Sequence, residues 1–289
     1  DTAQRTVGYL TTDLWTGEAF AGSQAGDDDY YRLGATDRED REAPAVDETV
    51  FADRNGLAID GLLWTHAYTD DERARRYAER ARDHVCKRLV ADGAVAHYDA
   101  EDSDSGLLLD QAGLLQGLTT SWQVLGEGGP AAAVADWTVE NRQQDSGAFR
   151  DGPDSGAGLC GRSLHPLDST VELADALVDL AALTGEERYR DVATEAVESF
   201  AGAAERMGVE VAGYASVAAR LQDPQRIVVG TAAGTDLHRA ALRLADHETT
   251  VVPDPDGDGR ARRYEGETVT AEADTPRGLD AALTGTGEQ

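Results

Sequence analysis

The chain has 289 residues, with 26 Lys plus Arg against 55 Asp plus Glu and a formal net charge of −29. That length supplies ample core for one large domain, and 40% hydrophobic against 28% charged residues is a globular balance rather than a disordered one. A surface so acidic repels phosphate, which excludes nucleic acid and disfavours anionic lipid. No apolar run approaches the roughly 18 residues of a membrane span, and the opening residues do not read as a secretory signal.

In chain order, residues 2–14 read as an outer helix without an inner partner, followed by the short Gly-led, partly aromatic element Gly17-Glu18-Ala19-Phe20. A helix from Asn55-Gly56-Leu57 to Tyr68 is apolar around most of its circumference, so it should be buried on nearly all sides. After a turn, Asp71-Glu72 opens an amphipathic helix with the stripe Ala74, Tyr77, Ala78, Ala81, Val85 and Leu89. The plan then repeats. Gly93 to Tyr98 forms a rim element, Asp110 to Trp122 a second buried helix, and Pro130 precedes a poorer amphipathic copy using Val134, Trp137 and Thr138. Gly147-Ala148-Phe149, a third buried helix from Asp168 to Leu183 and a third amphipathic one from Glu186-Glu187 follow. A fourth inner-type helix is expected over 209–221. Buried helix, turn, half-buried helix, repeated, is an array of helical hairpins. Residues 226–254 change character to strand, helix, strand, and from 255 the chain turns acidic and Gly-rich, as a mobile tail would. The expected division is a mainly α, incomplete (α/α) toroid over 1–225, a strand-helix-strand appendage over 226–254 and a tail over 255–289.

Five stretches in this order carry a resemblance: residues 17–24, the run PAVDETVFADRNG over 44–56, residues 110–117, GRSLHPLDSTVELADALVDLAALTGEERY over 161–189, and RIVVG over 226–230. They resemble the helical-barrel region of the thioredoxin-domain family that includes spermatogenesis-associated protein 20. That family is similar in turn to N-acylglucosamine 2-epimerases and six-hairpin glycosidases. The resemblance implies an (α/α) toroid, here without the family's thioredoxin-like domain, and supplies no established catalytic residue. Where the family has Trp before Asn-Gly-Leu this chain has Arg54, and the family's Ser-Gly-Asn-Ser stretch is Leu167-Asp168-Ser169, one residue shorter. About four hairpins rather than six are evident, so a separate chain supplying the missing hairpins or the thioredoxin domain is an expected partner.

In a toroid the leading ends of the inner helices, at Asn55, Asp110 and Asp168, should face one mouth, together with His97, Tyr98, Asp99, Asp102 and His165. Glycoside cleavage needs one protonated and one ionised carboxyl group flanking the bond, with an aromatic face nearby. Asp110 with Asp53, Asp99 or Asp102 could form that pair, with Trp64 or Trp122 for stacking and Asn55, Gln111 and Tyr98 as further contacts. Asp at a helix start is more often a cap, so the bland reading competes. Epimerisation instead needs a base, commonly histidine: His97 and His165 are candidates, with Arg162 to hold a substrate anion, whereas His66 in an apolar helix reads as structural. The function expected is sugar binding or sugar processing, on a carbohydrate or sugar phosphate. The alternative is a non-catalytic scaffold that has lost its redox domain.

No cofactor or metal is expected. Asp254, Asp256, Asp258, Gly259 and Glu265 match a calcium-loop pattern, but a strand precedes them, no helix follows, and Arg260, Arg262 and Arg263 oppose a cation. No P-loop, GxGxxG, HExxH or GxSxG sequence occurs. Cys86 and Cys160 lack CxxC partners and read as small buried hydrophobes of a reducing compartment. Lys87 is the sole lysine. Carboxylates and arginine suit a high-salt interior, so the location expected is the cytosol of a salt-accumulating halophile. The far-UV circular dichroism of the chain should then collapse in salt-free buffer; a folded monomer there would overturn this expectation.

Overall fold

The computed structural model describes residues 2–153, 164–206, 208 and 212–285. Its elements are α1 (Thr2–Thr12), β1 (Ser23–Gln24), α2 (Asp28–Tyr31), α3 (Ala35–Glu39), β2 (Val46–Asp47), α4 (Ala52–Thr69), α5 (Glu72–Arg88), β3 (Val90–Ala91), β4 (Ala94–Val95), α6 (Leu108–Leu125) and α7 (Ala131–Arg142). They continue with α8 (Leu167–Thr184), α9 (Arg188–Glu198), a 3-10 turn (Ala201–Arg206), α10 (Ala212–Gln222), β5 (Gln225–Val229), α11 (Asp236–Leu244), β6 (Thr249–Pro253), β7 (Ala261–Glu265), β8 (Thr268–Ala273) and α12 (Pro276–Thr284).

The inner helices α4, α6 and α8 are 18 residues each, about 27 Å long, and stand side by side with α6 in the middle. Their near-complete apolar circumference has its cause here. α6 is flanked by α4 and α8 and backed by α7, so even Thr119, Thr120, Ser121 and Gln123 are buried. α5 and α9 lie outside, each burying an alanine-rich stripe: Ala74, Ala78, Ala81 and Val85 on α5, and Ala193, Ala196 and Val197 on α9, with the large Tyr189 at its start. Alanine at these positions lets the two helices of a hairpin approach closely. The carboxylate of Asp71 accepts the backbone N–H groups of Arg73 and Ala74, capping α5, while Gly126 and Gly185, at φ +77° and +73°, end α6 and α8. α10 closes the array against α8 and α9.

Glycine sets the spacing between α4 and α6. A β-carbon at Gly56 would lie 2.1 Å from the Gly113 carbonyl oxygen, and one at Gly117 would lie 2.7 Å from the Gly56 oxygen. The two backbones are therefore in direct contact, which brings Asp53 beside the first turn of α6.

The strand, helix and strand expected after residue 225 are β5, α11 and β6, with β5 and β6 parallel. The tail reading is corrected. Residues 261–284 supply β7, β8 and α12, completing a four-stranded sheet in the order β6-β5-β7-β8. The acids that suggested a tail are spent on cross-strand pairing: Arg262 bonds Asp258 and Glu272, Arg260 bonds Glu272, and Ala261 and Leu279 are fully buried. Asp258 thus faces arginine in the β6–β7 turn, and among the described residues no group of His, Cys, Asp or Glu is arranged to hold a metal ion. The sheet and α11 are riveted to α6, where His238 Nε2 of α11 lies 2.8 Å from the Gln123 carbonyl and the Val251 N–H of β6 donates to Gln123 Oε1. Among the described residues no helix is long and apolar enough to cross a membrane.

Candidate active site in the toroid lumen

Residues three, four and seven apart on a helix share a face. On α4 that face carries Asp53, Asp60, Trp64 and Tyr68; on α6 it carries Gln116, Thr120 and Gln123; on α8, Glu172, Asp175 and Asp179. Asp60, Asp175 and Asp179 line a cavity of about 290 Å³ together with Asp246 and His247 of the loop before β6, Thr249 at the start of β6, and Arg220 of α10. That volume sits at the lower edge of small-molecule sites, roughly 300–1,000 Å³. The lumen is open and polar, not filled by leucine.

Charge is unbalanced in this cavity. Arg220 is buried and bonds both Asp175 and Asp179, the latter at 2.6 Å, while its Nη2 also donates to Thr250. One guanidinium cannot offset Asp60, Asp175 and Asp179 together. Burial first, then the charges of Asp179 and Asp175, push the Asp60 carboxyl up to about 6, against opposing hydrogen bonds from Thr120 and Trp64. Thr120 Oγ1 donates to Asp60 Oδ1 at 2.6 Å. Asp175 is likewise raised by burial, with Arg220 opposing. Trp64 stacks on Tyr68 with centroids 5.8 Å apart and planes at 27°, and Tyr68 is half-exposed. This places an aromatic wall beside a carboxyl that holds its proton well above the ordinary carboxylate range, up to about pH 6.

A second cluster lies at the mouth, where the first turns of α4, α6 and α8 meet. Asp110 is fully buried, and its Oδ2 lies 2.9 Å from His97 Nδ1. Burial raises the Asp110 carboxyl, the His97 contact opposes this, and the nearby Asp53 adds to it. Asp53 Oδ1 is buried without a hydrogen-bond partner, and burial together with Asp168 and Asp53 raises Glu172. His97, 30% exposed, is the member of the dyad that solvent reaches; its ring rests on Phe51 and Tyr98. Asp110 can therefore touch a ligand only through His97, which corrects its expected direct role.

Other expected contacts are placed differently. Asn55 is fully buried; its Nδ2 donates to the carbonyls of Phe20 and Phe51 and its Oδ1 accepts the Phe20 N–H, so it pins the rim element to α4. Gln111 is equally buried, accepting the Val95 N–H at 2.6 Å and donating to Thr138 Oγ1 at 2.6 Å, which braces β4 against α7. Both side chains are spent on scaffold. Trp122 packs in the α6–α7 turn, where a β-carbon on Gly128 would lie 2.2 Å from its ring, away from the lumen. Asp99 faces outward and accepts from His84 and Arg88 of α5, which lower its carboxyl. Asp102 is exposed on the loop before α6. Tyr98 is half-buried against Phe51. His165 is exposed and bonds Gln144 at 2.7 Å, and His66 lies 3.7 Å from Glu72 across the α4–α5 turn. Arg162 and Cys160 lie outside the described residues, and Cys86 is half-buried, its thiol pushed up to about 11 by burial.

Sequence reasoning missed Asp60, Asp175, Asp179 and Arg220. The signal was present: acids at helical spacing within otherwise apolar helices, with no basic residue four positions away to neutralise them.

No family model matches the chain, and neither does any curated protein. Solved structures do. The unsaturated glucuronyl hydrolase of Bacillus sp. GL1 superposes with a TM-score of 0.50 at 17% identity, over 68% of this chain and 54% of that one. The fold is an (α/α) toroid. A family 76 glycoside hydrolase from a bovine Bacteroides thetaiotaomicron strain matches with a TM-score of 0.44 at 18% identity, over 52% of this chain and 34% of that one. An α-1,6-mannanase of Salegentibacter sp. HEL1_6 in complex with α-1,6-mannotriose matches at 0.46 and 14%, over 68% and 69%. The chain thus spans between about a third and two thirds of the length of these structures.

Proposed function

We propose that the lumen binds a short carbohydrate and that Asp60 delivers a proton to the glycosidic oxygen. The observation that carries this reading is a carboxyl pushed up to about 6 inside an accessible cavity, beside two further carboxylates and the Trp64–Tyr68 wall. A glycosidase needs this asymmetry: one carboxyl still protonated near neutral pH, another ionised to assist attack or stabilise the positive charge that develops on the ring. Arg220 pairs with both Asp175 and Asp179; Asp179 also accepts from Thr250 and is the less exposed, so Asp175, 39% exposed, serves as the ionised counterpart open to the cavity. The aromatic wall covers the apolar face of a sugar ring, and Gln116 offers its amide to the hydroxyls, while the Gln123 amide is spent on Val251 and Asp179. The order of the five resembling stretches supports assignment to the thioredoxin-domain family's helical barrel.

The test is calorimetric titration with neutral oligosaccharides, including α-1,6-mannotriose, in molar salt. Saturable binding is expected, weakened at least tenfold by Trp64→Ala. Failure of every sugar to bind would favour the scaffold reading instead.

A further inference from the structure

The charge on the lumen wall selects among sugars, and this inference rests on the lumen being the sugar site. Around the cavity stand Asp60, Asp175, Asp179 and Asp246, and Glu172 lies one turn from Asp175 toward the mouth. Among the described residues, the basic side chains lining the cavity are Arg220 and His247. Arg220 is committed on each nitrogen: Nε to the Glu248 carbonyl, Nη1 to Asp175, Nη2 to Asp179 and Thr250. His247 is 80% exposed and turns to Glu248 at 3.8 Å. The positive ends of the inner helices could draw an anion to the mouth, but each is met within its first turn by its own acid, Asp53, Asp110 or Asp168.

We infer that the lumen takes uncharged sugars and rejects sugar acids and sugar phosphates, with Glu172 and Asp175 setting the choice. A substrate carboxylate would enter a wall of like charge with, among the described residues, no uncommitted arginine lining the cavity to meet it. One such charge about 5 Å from a single uncompensated carboxylate, at an effective dielectric near 20, is disfavoured by roughly 250-fold. The unsaturated glucuronyl hydrolase shares the fold while its name denotes an acidic sugar, so the inference separates this lumen from that one by charge.

The experiment compares matched pairs differing only at C6: methyl glycosides and their uronides in gluco, manno and galacto form, with glucose against glucose 6-phosphate. Binding is read by saturation-transfer NMR and competition calorimetry. The neutral member should bind and its anionic partner should bind at least tenfold more weakly. In Glu172→Gln and Asp175→Asn, checked for folding by circular dichroism, that ratio should shrink at least threefold. Should a variant fail to fold, the wild-type ratio measured at rising salt serves instead, and it should narrow as the wall is screened. An anionic member binding as tightly as its neutral partner overturns the charge rule while leaving the lumen as a sugar site. Binding of neither member overturns the sugar site and the rule with it.

Discussion

Gly56→Ala is expected to destabilise the protein by about 3 kcal/mol or more, lowering the melting temperature by roughly 6–12 °C. The added methyl would lie 2.1 Å from the Gly113 carbonyl oxygen and 2.4 Å from its carbonyl carbon. Neither is the movable end of a side chain, so two helices buried on nearly all sides must separate. The loss should fall with the clash: Gly117→Ala, at 2.7 Å from backbone, in the middle, and Gly113→Ala, at 3.1 Å from Asp53 Cα, least. Gly61 in the same helix supplies the control, because nothing lies within 4 Å of its β-carbon position. There, alanine should stabilise by about 0.5–1 kcal/mol through helix propensity. Thermal and denaturant unfolding of the four variants measures the series. A Gly56→Ala protein as stable as Gly61→Ala would mean that α4 and α6 do not touch as described. The consequence reaches the site, since the same contact sets the distance of Asp53 from Asp110 and the width of the lumen between Asp60 and Thr120.

The hairpin array could be read from the chain because its cause is local. A helix buried on all sides must be apolar on all sides, and α4, α6 and α8 show this over 18 residues each. Their starts were less legible. Asn55, Asp110 and Asp168 look like caps, but the cap positions are Phe51, Leu107 and Pro166, which make no side-chain cap bond, and the polar residues fall inside the first turn. Asn55 and Asp110 are polar there because they have distant partners: Phe20 lies 35 residues before Asn55, and His97 lies 13 before Asp110. The sheet was half legible. β5 and β6 carry the β-branched runs Ile227-Val228-Val229 and Thr249-Thr250-Val251-Val252, as buried parallel strands do, whereas β7 and β8 are amphipathic and charged and were hidden by the glycines and acids around them. The lumen was the least legible part. Arg220 meets Asp175 and Asp179 across 45 and 41 residues, and no periodicity reports that one cation serves two acids while a third goes without.

Asp60→Asn should move stability and activity in opposite directions. The Asp60 carboxyl is pushed from an ordinary 3.8 to about 6. The folded state therefore holds this proton where the unfolded chain has released it. Stability is full below about pH 4, declines as pH rises, and by about pH 6.5 has lost roughly 3 kcal/mol through this group. Asparagine cannot ionise, so the variant escapes that loss. It gives up one acceptor, because its amide nitrogen cannot receive the Trp64 N–H, at about 1 kcal/mol. The net expectation is a variant more stable than the wild type by about 1–2 kcal/mol at pH 7.5 and no more stable at pH 4, read from unfolding curves at both values. Activity should respond the other way. A proton donor works only while protonated, so wild-type hydrolysis of a bound neutral oligosaccharide should fall as pH rises through about 6. In the variant the rate should drop about 10²- to 10⁴-fold and that limb of the profile should vanish. A variant that keeps the limb would move the proton to another group, with the His97–Asp110 dyad at the mouth next in line. A variant no more stable at pH 7.5 than the wild type would show that the fold does not raise the Asp60 carboxyl above its ordinary range, and the asymmetry between Asp60 and Asp175 would be lost as a basis for catalysis.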